Sequence, residues 1–317
     1  MRPTIVLAFV LTSIGALVPA PAAAQACSDN PLAVQILGSG GPFPSASASS
    51  GYLVWRNGRS IALVDAGGGV FHTFGQAGGH LEQLAFVALS HLHPDHVSDL
   101  PALLWLSDYR TTPLPVVGPS GNALLPPVDL FLERLVGEKD SALPIVHARG
   151  VPLRSQVVDT AATVPTVVHD ADGVRALALG VPHGVPALAY RITVDGTSLV
   201  FGGDQNGTNR AFVEFARDAD LLVAHLSLSS TASAPQLTGI HALPAAIGRI
   251  AAAANVKGLV LSHIIEPRRE EPLASSFSGF DSATLSAAVA DVRKIYGGTI
   301  VMARDLQCIG LKPAAPR

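Results

Sequence analysis

The stretch LSHLHPDHVSDL, residues 89–100, places three histidines and an aspartate within six positions, directly after an apolar run typical of a buried strand. His91 and His93 are two positions apart, so on an extended chain their rings point to the same side. Asp95 and His96 are adjacent and diverge in a tight turn. The turn therefore offers two ligands to one metal ion and two to a neighbouring ion. The alternative, a histidine-rich surface loop, is disfavoured because four ligand-type residues share six positions.

The donor types at this turn indicate a catalytic metal site. Structural zinc sites usually contain cysteine, whereas this turn offers only imidazole and carboxylate groups. Such a donor set leaves a position for water, and it suits Zn²⁺, with Mn²⁺ or Fe²⁺ as alternatives. We therefore predict two Zn²⁺ ions as cofactors.

Composition limits the class of protein. The chain has 317 residues, of which 48% are hydrophobic, enough for one large α/β domain or two small ones. The formal net charge is −3 and no run of like charges occurs, which argues against a surface built for nucleic acid. Proline and glycine are spread evenly and no linker is evident, so we predict one domain over residues 27–317.

Residues 1–26 have the layout of a secretory signal peptide. Arg2 precedes an apolar stretch, and small residues and prolines follow it. The apolar stretch is short for a membrane span, which needs about 20 residues. An uncleaved anchor and a lipoprotein acylated at Cys27 are the alternatives. We expect cleavage, no stable membrane insertion afterwards, and a periplasmic or secreted protein.

The two cysteines, Cys27 and Cys308, lie near opposite ends of the exported chain. In an oxidising compartment this arrangement predicts a disulfide, because chain termini often lie close together. Two unrelated buried thiols are the alternative.

Turn signals and periodicity predict the layers of the fold. Asn57–Gly58 and Asp195–Gly196 separate β-rich runs and predict hairpins. The middle of the chain, 145–201, reads as strands beginning with PIVHA. Helical spacing occurs at 97–108, 123–136, 209–219, 241–254 and 281–296. We predict two packed sheets with helices outside, one layer set from each half of the chain.

The hexapeptide HLHPDH, residues 91–96, resembles the His-x-His-x-Asp-His signature of the metallo-β-lactamase superfamily. The resemblance extends from about Ala33 to Leu311. It implies an α/β fold, the αβ/βα four-layer sandwich, with a dinuclear metal site at the edges of the sheets.

The resemblance also implies further ligands, each of which follows a predicted strand. These are His183 in VPHG, Asp204 in GGDQ and His263 in LSHI. By this resemblance, one metal ion is held by His91, His93 and His183. The other is held by Asp95, His96 and His263, and Asp204 bridges both ions.

Two further residues are predicted to support the ligands. Asp65 ends a strand in LVDAGGG and is expected to orient a ligand histidine, although a simple turn-forming role is an equal alternative. His225 lies within a strand, so we predict a core or supporting role for it rather than metal ligation.

Local motifs narrow the branch of the superfamily. The block HGVPALAYRI, 183–192, resembles the corresponding segment of ribonuclease Z and arylsulfatase enzymes, as do LGSGGPFPS, 37–45, and VVGPSG, 116–121. The resemblance implies that His241, at the start of a predicted helix, assists the leaving group. Asp204 can supply a bridging carboxylate. True β-lactamases lack such a bridge, so the resemblance disfavours a β-lactam substrate.

Three features depart from ribonuclease Z. Its tRNA-binding arm lies between the third histidine and the bridging aspartate, where this chain has only the short step from His183 to Asp204. The family's His-Glu-Ala-Thr strand is replaced by HLSL, 225–228, which lacks the glutamate that supports the helper histidine. The chain is also slightly acidic, which is unfavourable for a polyanion of tRNA size.

We therefore predict an exported dinuclear-metal hydrolase that cleaves small anionic esters, either aryl sulfates or phosphodiesters, by a hydroxide that bridges the metals. Asp95 and His241 are assigned to catalysis. The alternatives are a ribonuclease Z-like nuclease, a lactonase or β-lactamase acting on a carbonyl carbon, and a non-catalytic metal-binding protein. No tRNA-binding arm is expected, and the resemblance suggests a homodimer.

Overall fold

The computed structural model describes residues 26–106, 110, 112–148, 153–265 and 281–312. The predicted signal peptide therefore lies almost entirely outside the described residues. Among the described residues, no helix is long and apolar enough to cross a membrane.

The first sheet is mixed. Its strands are β1 (Leu32–Gly38), β2 (Gly51–Arg56), β3 (Arg59–Val64), β4 (Phe86–Ala88), β5 (Leu114–Pro119), β6 (Leu153–Val158) and β14 (Cys308–Leu311). Their order is β14-β1-β2-β3-β4-β5-β6. Pairing is antiparallel from β14 to β3 and parallel from β3 to β6. Asn57 and Gly58 both have positive φ, 49° and 77°, as the tight β2–β3 turn requires.

The second sheet has the same design. It contains β7 (Thr166–Ala171), β8 (Val174–Pro182), β9 (Pro186–Val194), β10 (Thr197–Phe201), β11 (Leu221–His225), β12 (Gly258–Ser262) and β13 (Thr299–Met302). The order is β13-β12-β11-β10-β9-β8-β7, parallel from β13 to β10 and antiparallel from β10 to β7. Asp195 and Gly196, with φ of 48° and 85°, form the predicted β9–β10 turn.

Helices cover the outer face of each sheet. They are α1 (Val70–Gln76), α2 (Pro94–Val97), α3 (Leu100–Trp105), α4 (Val128–Val136), α5 (Pro144–Ala148), α6 (Arg210–Phe215), α7 (Pro235–Thr238), α8 (Pro244–Ala253) and α9 (Ser282–Arg293). Short 3₁₀ helices span Cys27–Asp29 and Leu81–Gln83.

Side-chain alternation along the strands separates the layers of the core. In β2, Tyr52 and Val54 face the second sheet, whereas Leu53 and Trp55 pack against the helices outside the first sheet. Helices α6, α8 and α9 cover the second sheet in the same way, and Phe212, Ile247 and Val292 belong to that outer layer. The four-layer αβ/βα sandwich is therefore confirmed.

Some element predictions are wrong in detail. PIVHA forms α5 rather than a strand: Pro144 suits the first turn of a helix, and a five-residue apolar run carries no decisive periodicity. Helix α8 begins at Pro244, so His241 lies in the loop before it instead of opening the helix. The last strand, β14, joins the first sheet beside β1, so the two sheets do not correspond strictly to the two halves of the chain.

Cys27 and Cys308 form a disulfide, with 5.3 Å between their Cα atoms and a sequence separation of 281 positions. The bond joins the 3₁₀ helix before β1 to the first residue of β14. Both residues pack on the outer face of the first sheet.

Candidate metal centre

The ligand-type turn follows the carboxyl end of β4, where ligand sites of parallel sheets are expected. His93 is extended, with φ of −70° and ψ of 148°, and Pro94 then starts α2, which carries Asp95 and His96 inward. Gly67 lies beneath the turn, where a Cβ atom would approach the carbonyl oxygen of Asp95 to 2.1 Å. The close approach of these two backbones therefore requires glycine.

The first group of converging donors contains His91, His93 and His183. Nε2 of His91 lies 3.0 Å from Nδ1 of His93, and Nε2 of His183 lies 3.4 Å from the same atom. His91 and His183 are buried and His93 is half-buried. The three side chains form a group capable of holding a metal ion.

The second group contains Asp95, His96 and His263. Nε2 of His263 lies 3.2 Å from Oδ2 of Asp95 and 3.3 Å from Nε2 of His96. Nε2 of His96 is 3.6 Å from the same carboxylate oxygen. His263 follows β12 and has a positive φ of 57°, which turns its ring out of the strand direction.

Asp204 lies between the two groups. Its Oδ2 atom is 3.4 Å from Nε2 of His183 and 3.8 Å from Nε2 of His96. Its Oδ1 atom is 3.6 Å from Nε2 of His263. The carboxylate therefore faces both groups, as a bridging ligand would.

The hydrogen bonds behind the rings test whether this donor set fits a cation. Nδ1 of His183 lies 2.8 Å from the carbonyl oxygen of Ile240, and Nδ1 of His96 lies 2.8 Å from Oδ2 of Asp65. Both partners only accept, so each Nδ1 carries a hydrogen, and in the neutral form of each ring the lone pair of Nε2 points into the centre. Imidazole nitrogens that face one another at 3.0–3.4 Å need a proton or a metal cation between them, because their lone pairs would otherwise repel. The residues fit divalent cations with imidazole and carboxylate ligands.

The structure brings the two predicted supporting residues next to the centre. Asp65 accepts hydrogen bonds from the backbone N–H of Ser90, at 2.7 Å, and from its hydroxyl, at 2.8 Å, as well as from His96. His225 contacts Asp204 through Nδ1, 2.5 Å from Oδ1, and contacts Tyr52 through Nε2 at 2.9 Å. Both nitrogens of His225 are engaged, so the ring supports the carboxylate and has no free lone pair for a metal.

His241 lies at the rim of the first group. Its Nδ1 atom is 3.8 Å from Oδ2 of Asp204, and its ring centroid is 5.1 Å from that of His183. His241 belongs to the loop after α7 and lies beside the centre. Its nitrogen is close enough to His183 and Asp204 for the three residues to form a further group capable of holding a metal ion.

Burial and neighbouring charges shift the pKa values in opposite directions. Burial lowers the pKa of His241 to about 3 and that of His225 to about 4, so both rings are neutral at neutral pH. Burial also opposes the charged form of His96, but Asp65 and Asp95 outweigh it and raise the pKa of His96 to about 9. In Asp95, burial is outweighed by His96 and His263, which lower its pKa to about 2. A cation bound to His96 would therefore displace a proton.

Sequence reasoning missed three hydroxyl groups that contact the proposed ligands or the residues supporting them. Ser90 contacts Asp65 and His91, Ser227 lies 3.0 Å from Nδ1 of His263, and Tyr52 contacts His225. Ser90 and Ser227 adjoin strand ends that carry metal-type residues, which is a weak local signal. Tyr52 comes from a distant strand and leaves no such signal.

Two facing mixed sheets, outer helices and a buried histidine–aspartate cluster at the strand ends define a metal-dependent hydrolase of the metallo-β-lactamase fold. The chain belongs to this superfamily: the family model described as beta-lactamase superfamily domain matches residues 62–264.

Two curated relatives of the chain are named ribonuclease Z. The chain is 32% identical over 178 residues to a protein named ribonuclease Z from Mycolicibacterium paratuberculosis, a match that covers 54% of this chain and 62% of the relative's length. It is 29% identical over 276 residues to the ribonuclease Z of Mycobacterium bovis, covering 78% of this chain and 94% of that one. The metallo-beta-lactamase fold protein YhfI from Bacillus subtilis superposes with a TM-score of 0.66 at 23% identity, covering 88% of this chain and 99% of that one.

Proposed function

We propose that this protein hydrolyses phosphodiesters with two divalent metal ions, in the manner of a ribonuclease Z-like nuclease. The observation that carries the proposal is the convergence of two three-residue groups on the carboxylate of Asp204. The name of the curated relatives supports phosphorus as the reacting centre. Nothing in those relatives supports the aryl sulfate expected from sequence.

The proposed ligands are His91, His93 and His183 for one ion and Asp95, His96 and His263 for the other. Zn²⁺ is the proposed metal, with Mn²⁺ or Fe²⁺ as alternatives for the same donors. When bound, two such ions supply Lewis-acid charge for the ester oxygens and a nucleophilic water at neutral pH.

The catalytic roles proposed for the chain's own residues follow from their charge. Asp95 is ionised at neutral pH because its pKa is about 2, so its carboxylate accepts a hydrogen bond from the attacking water. His241 is neutral in the substrate-free protein. An anionic ester beside the ring raises its pKa, so the ring takes up a proton from solvent when the ester binds and then donates that proton to the leaving oxygen.

A second candidate substrate class is a small phosphodiester. The observation that favours it is the two-residue turn between β9 and β10, because the described stretch from His183 to Asp204 contains this hairpin and no inserted arm. In this case the metal chemistry stays the same and only the size of the substrate changes.

Export is also part of the proposal. The layout of residues 1–26 and the disulfide between Cys27 and Cys308 support it, since disulfides persist in oxidising compartments. Expression of the full chain in a Gram-negative host, followed by cell fractionation and N-terminal sequencing, tests it. An unprocessed cytoplasmic product contradicts it. Light scattering on the mature chain tests the homodimer suggested by the family resemblance.

A substrate panel tests the reaction. The metal-loaded mature chain is assayed with bis(4-nitrophenyl) phosphate, a precursor tRNA, a short single-stranded RNA, 4-nitrophenyl sulfate, nitrocefin and a lactone. We expect turnover of the phosphodiesters and its loss with a chelator and in Asp204→Asn, whereas the exposed Asp170→Asn variant remains active. Activity confined to the sulfate or carbonyl substrates contradicts the proposal. The ratio of kcat/KM for RNA and for the small diester decides between the two substrate classes.

A further inference from the structure

Tyr52 connects the first sheet to the carboxylate of Asp204 through His225. It lies on β2 and is 1% exposed, in the core between the two sheets. Its hydroxyl reaches across to the second sheet, 2.9 Å from Nε2 of His225 on β11 and 3.0 Å from Oγ of Ser262 at the end of β12. Its two hydrogen-bond partners are therefore His225, which contacts Asp204, and Ser262, which precedes His263 in the chain.

His225 continues the link. Its Nδ1 atom is 2.5 Å from Oδ1 of Asp204, and its ring stacks on that of His263 with centroids 4.6 Å apart. Asp204 directs its other oxygen, Oδ2, toward His183 and His96. The orientation of Asp204 between the two ligand groups is thus held from behind by one imidazole.

We propose that Tyr52 is a positioning residue of the metal centre, because its hydroxyl fixes the ring and tautomer of His225 and thereby the carboxylate of Asp204. The inference rests on the proposed two-metal site but not on the identity of its substrate.

The positions of the hydrogens indicate which group donates in the Tyr52–His225 and His225–Asp204 contacts. An ionised Asp204 only accepts, so the short contact requires the hydrogen on Nδ1 of His225. Nε2 of the neutral ring is then an acceptor, and the Tyr52 hydroxyl is the donor that faces it. If the phenol instead donated to Ser262 and accepted from Nε2, the bare Nδ1 would face the carboxylate at 2.5 Å, lone pair against lone pair. A hydroxyl that donates to Nε2 therefore stabilises the same tautomer of His225 that holds Asp204.

Tyr52→Phe tests the proposal, with Tyr296→Phe as the matched control. Tyr296 is also buried, and its hydroxyl donates to the carbonyl oxygen of Val256 at 3.0 Å, away from the ligands. We expect Tyr52→Phe to weaken Zn²⁺ binding by about 10–100-fold in a chelator competition, the range typical of residues that support a metal ligand. Tyr296→Phe should bind Zn²⁺ as the wild type does. The melting temperatures of the two metal-free variants should fall by similar amounts.

A second pair of variants separates positioning from general damage to the core. In His225→Asn the side-chain amide replaces the Nδ1–H donor and no longer needs a phenol to set a tautomer. Adding Tyr52→Phe to His225→Asn should therefore change Zn²⁺ affinity by less than twofold, a non-additive result. An additive loss, or a single Tyr52→Phe variant that binds Zn²⁺ within twofold of wild type, overturns the proposal. A wild-type protein that binds no metal overturns both this proposal and the proposed function, whereas normal binding by Tyr52→Phe overturns this one alone.

Discussion

In the first half of the chain, four ligand-type side chains lie within the six positions 91–96, on one turn after β4. In the second half, His183, Asp204 and His263 each follow a different strand, β8, β10 and β12. The first arrangement is set by local geometry, because an extended segment and the start of α2 direct the side chains. The second exists only when the strands of a sheet are in register. Histidine and aspartate side chains of the same kind are therefore positioned by local geometry in the first half and by the pairing of distant strands in the second.

The supporting contacts differ in the same way. In the first half, Ser90 and Asp65 form one compact group that holds His91 and His96. In the second half, each proposed ligand has its own separate support: a carbonyl oxygen for His183, Ser227 for His263 and His225 for Asp204. Loss of one contact should thus disturb two ligands in the first half and a single ligand in the second.

The largest effect is expected at the residue that joins the two halves. Asp204→Asn removes the charge that faces both ligand groups, so we expect loss of bound metal and a fall in kcat/KM on the order of 10³-fold, since metal catalysis supplies several kcal/mol. His93→Asn removes a proposed ligand from the first group alone and should lower the metal content by about one ion per chain. Metal content by mass spectrometry and phosphodiesterase rates measure both. If Asp204→Asn retains two ions and turnover within tenfold of wild type, the carboxylate does not bridge.

The second-largest expected effect concerns stability. It tests whether the metal-binding turn depends on the edge of the first sheet. The double variant Cys27→Ser, Cys308→Ser should unfold with a free energy about 2–5 kcal/mol lower, because the bond closes a very long loop in the unfolded chain. Both cysteines lie on the outer face of the first sheet, so metal content should not change. Urea denaturation of the variant and of the wild type, with and without reductant, measures the difference. Loss of metal in the variant would show that the turn depends on this edge.

Much of this architecture is encoded locally, and that part was predictable. The Asn57–Gly58 and Asp195–Gly196 turns, the buried strands and the 91–96 motif are all set by neighbouring residues, and by resemblance the motif predicted the other donors that the fold brings beside it. What failed or was missed depends on distant contacts. The short sequence of α5 is compatible with a helix or a strand, and only packing against the rest of the fold decides between them. The position of β14 beside β1 and the contact of Tyr52 with His225 join residues far apart in sequence.

The pH dependence of the metal-free protein contrasts one histidine from each half. The pKa of His96 is about 9 when folded, above the value near 6.5 expected when unfolded, so its stabilisation is complete below pH 6.5 and is lost as the pH rises through 9. The pKa of His225 is about 4, so its stabilisation is present above pH 6.5 and is lost as the pH falls toward 4. We expect maximum stability near pH 6.5 and losses on the order of 1–3 kcal/mol on either side. Urea denaturation in chelator at pH 5, 6.5 and 8.5 measures it. A steady rise in stability up to pH 8.5 contradicts the assignment for His96.

The smallest expected effects compare two serines. Ser90→Ala removes a hydroxyl that contacts Asp65 at 2.8 Å and His91 at 3.0 Å, whereas Ser227→Ala removes a single contact with His263 at 3.0 Å. One hydrogen bond contributes about 0.5–1.5 kcal/mol, so Ser227→Ala should weaken Zn²⁺ binding by roughly twofold to tenfold. Ser90→Ala should have the larger effect, because His91 loses a partner and Asp65, which also holds His96, loses another. Chelator competition on the two variants measures the ratio of their affinities. Equal losses of affinity would contradict the expected difference. They would mean that the hydroxyl of Ser90 supports a single proposed ligand, as the hydroxyl of Ser227 does.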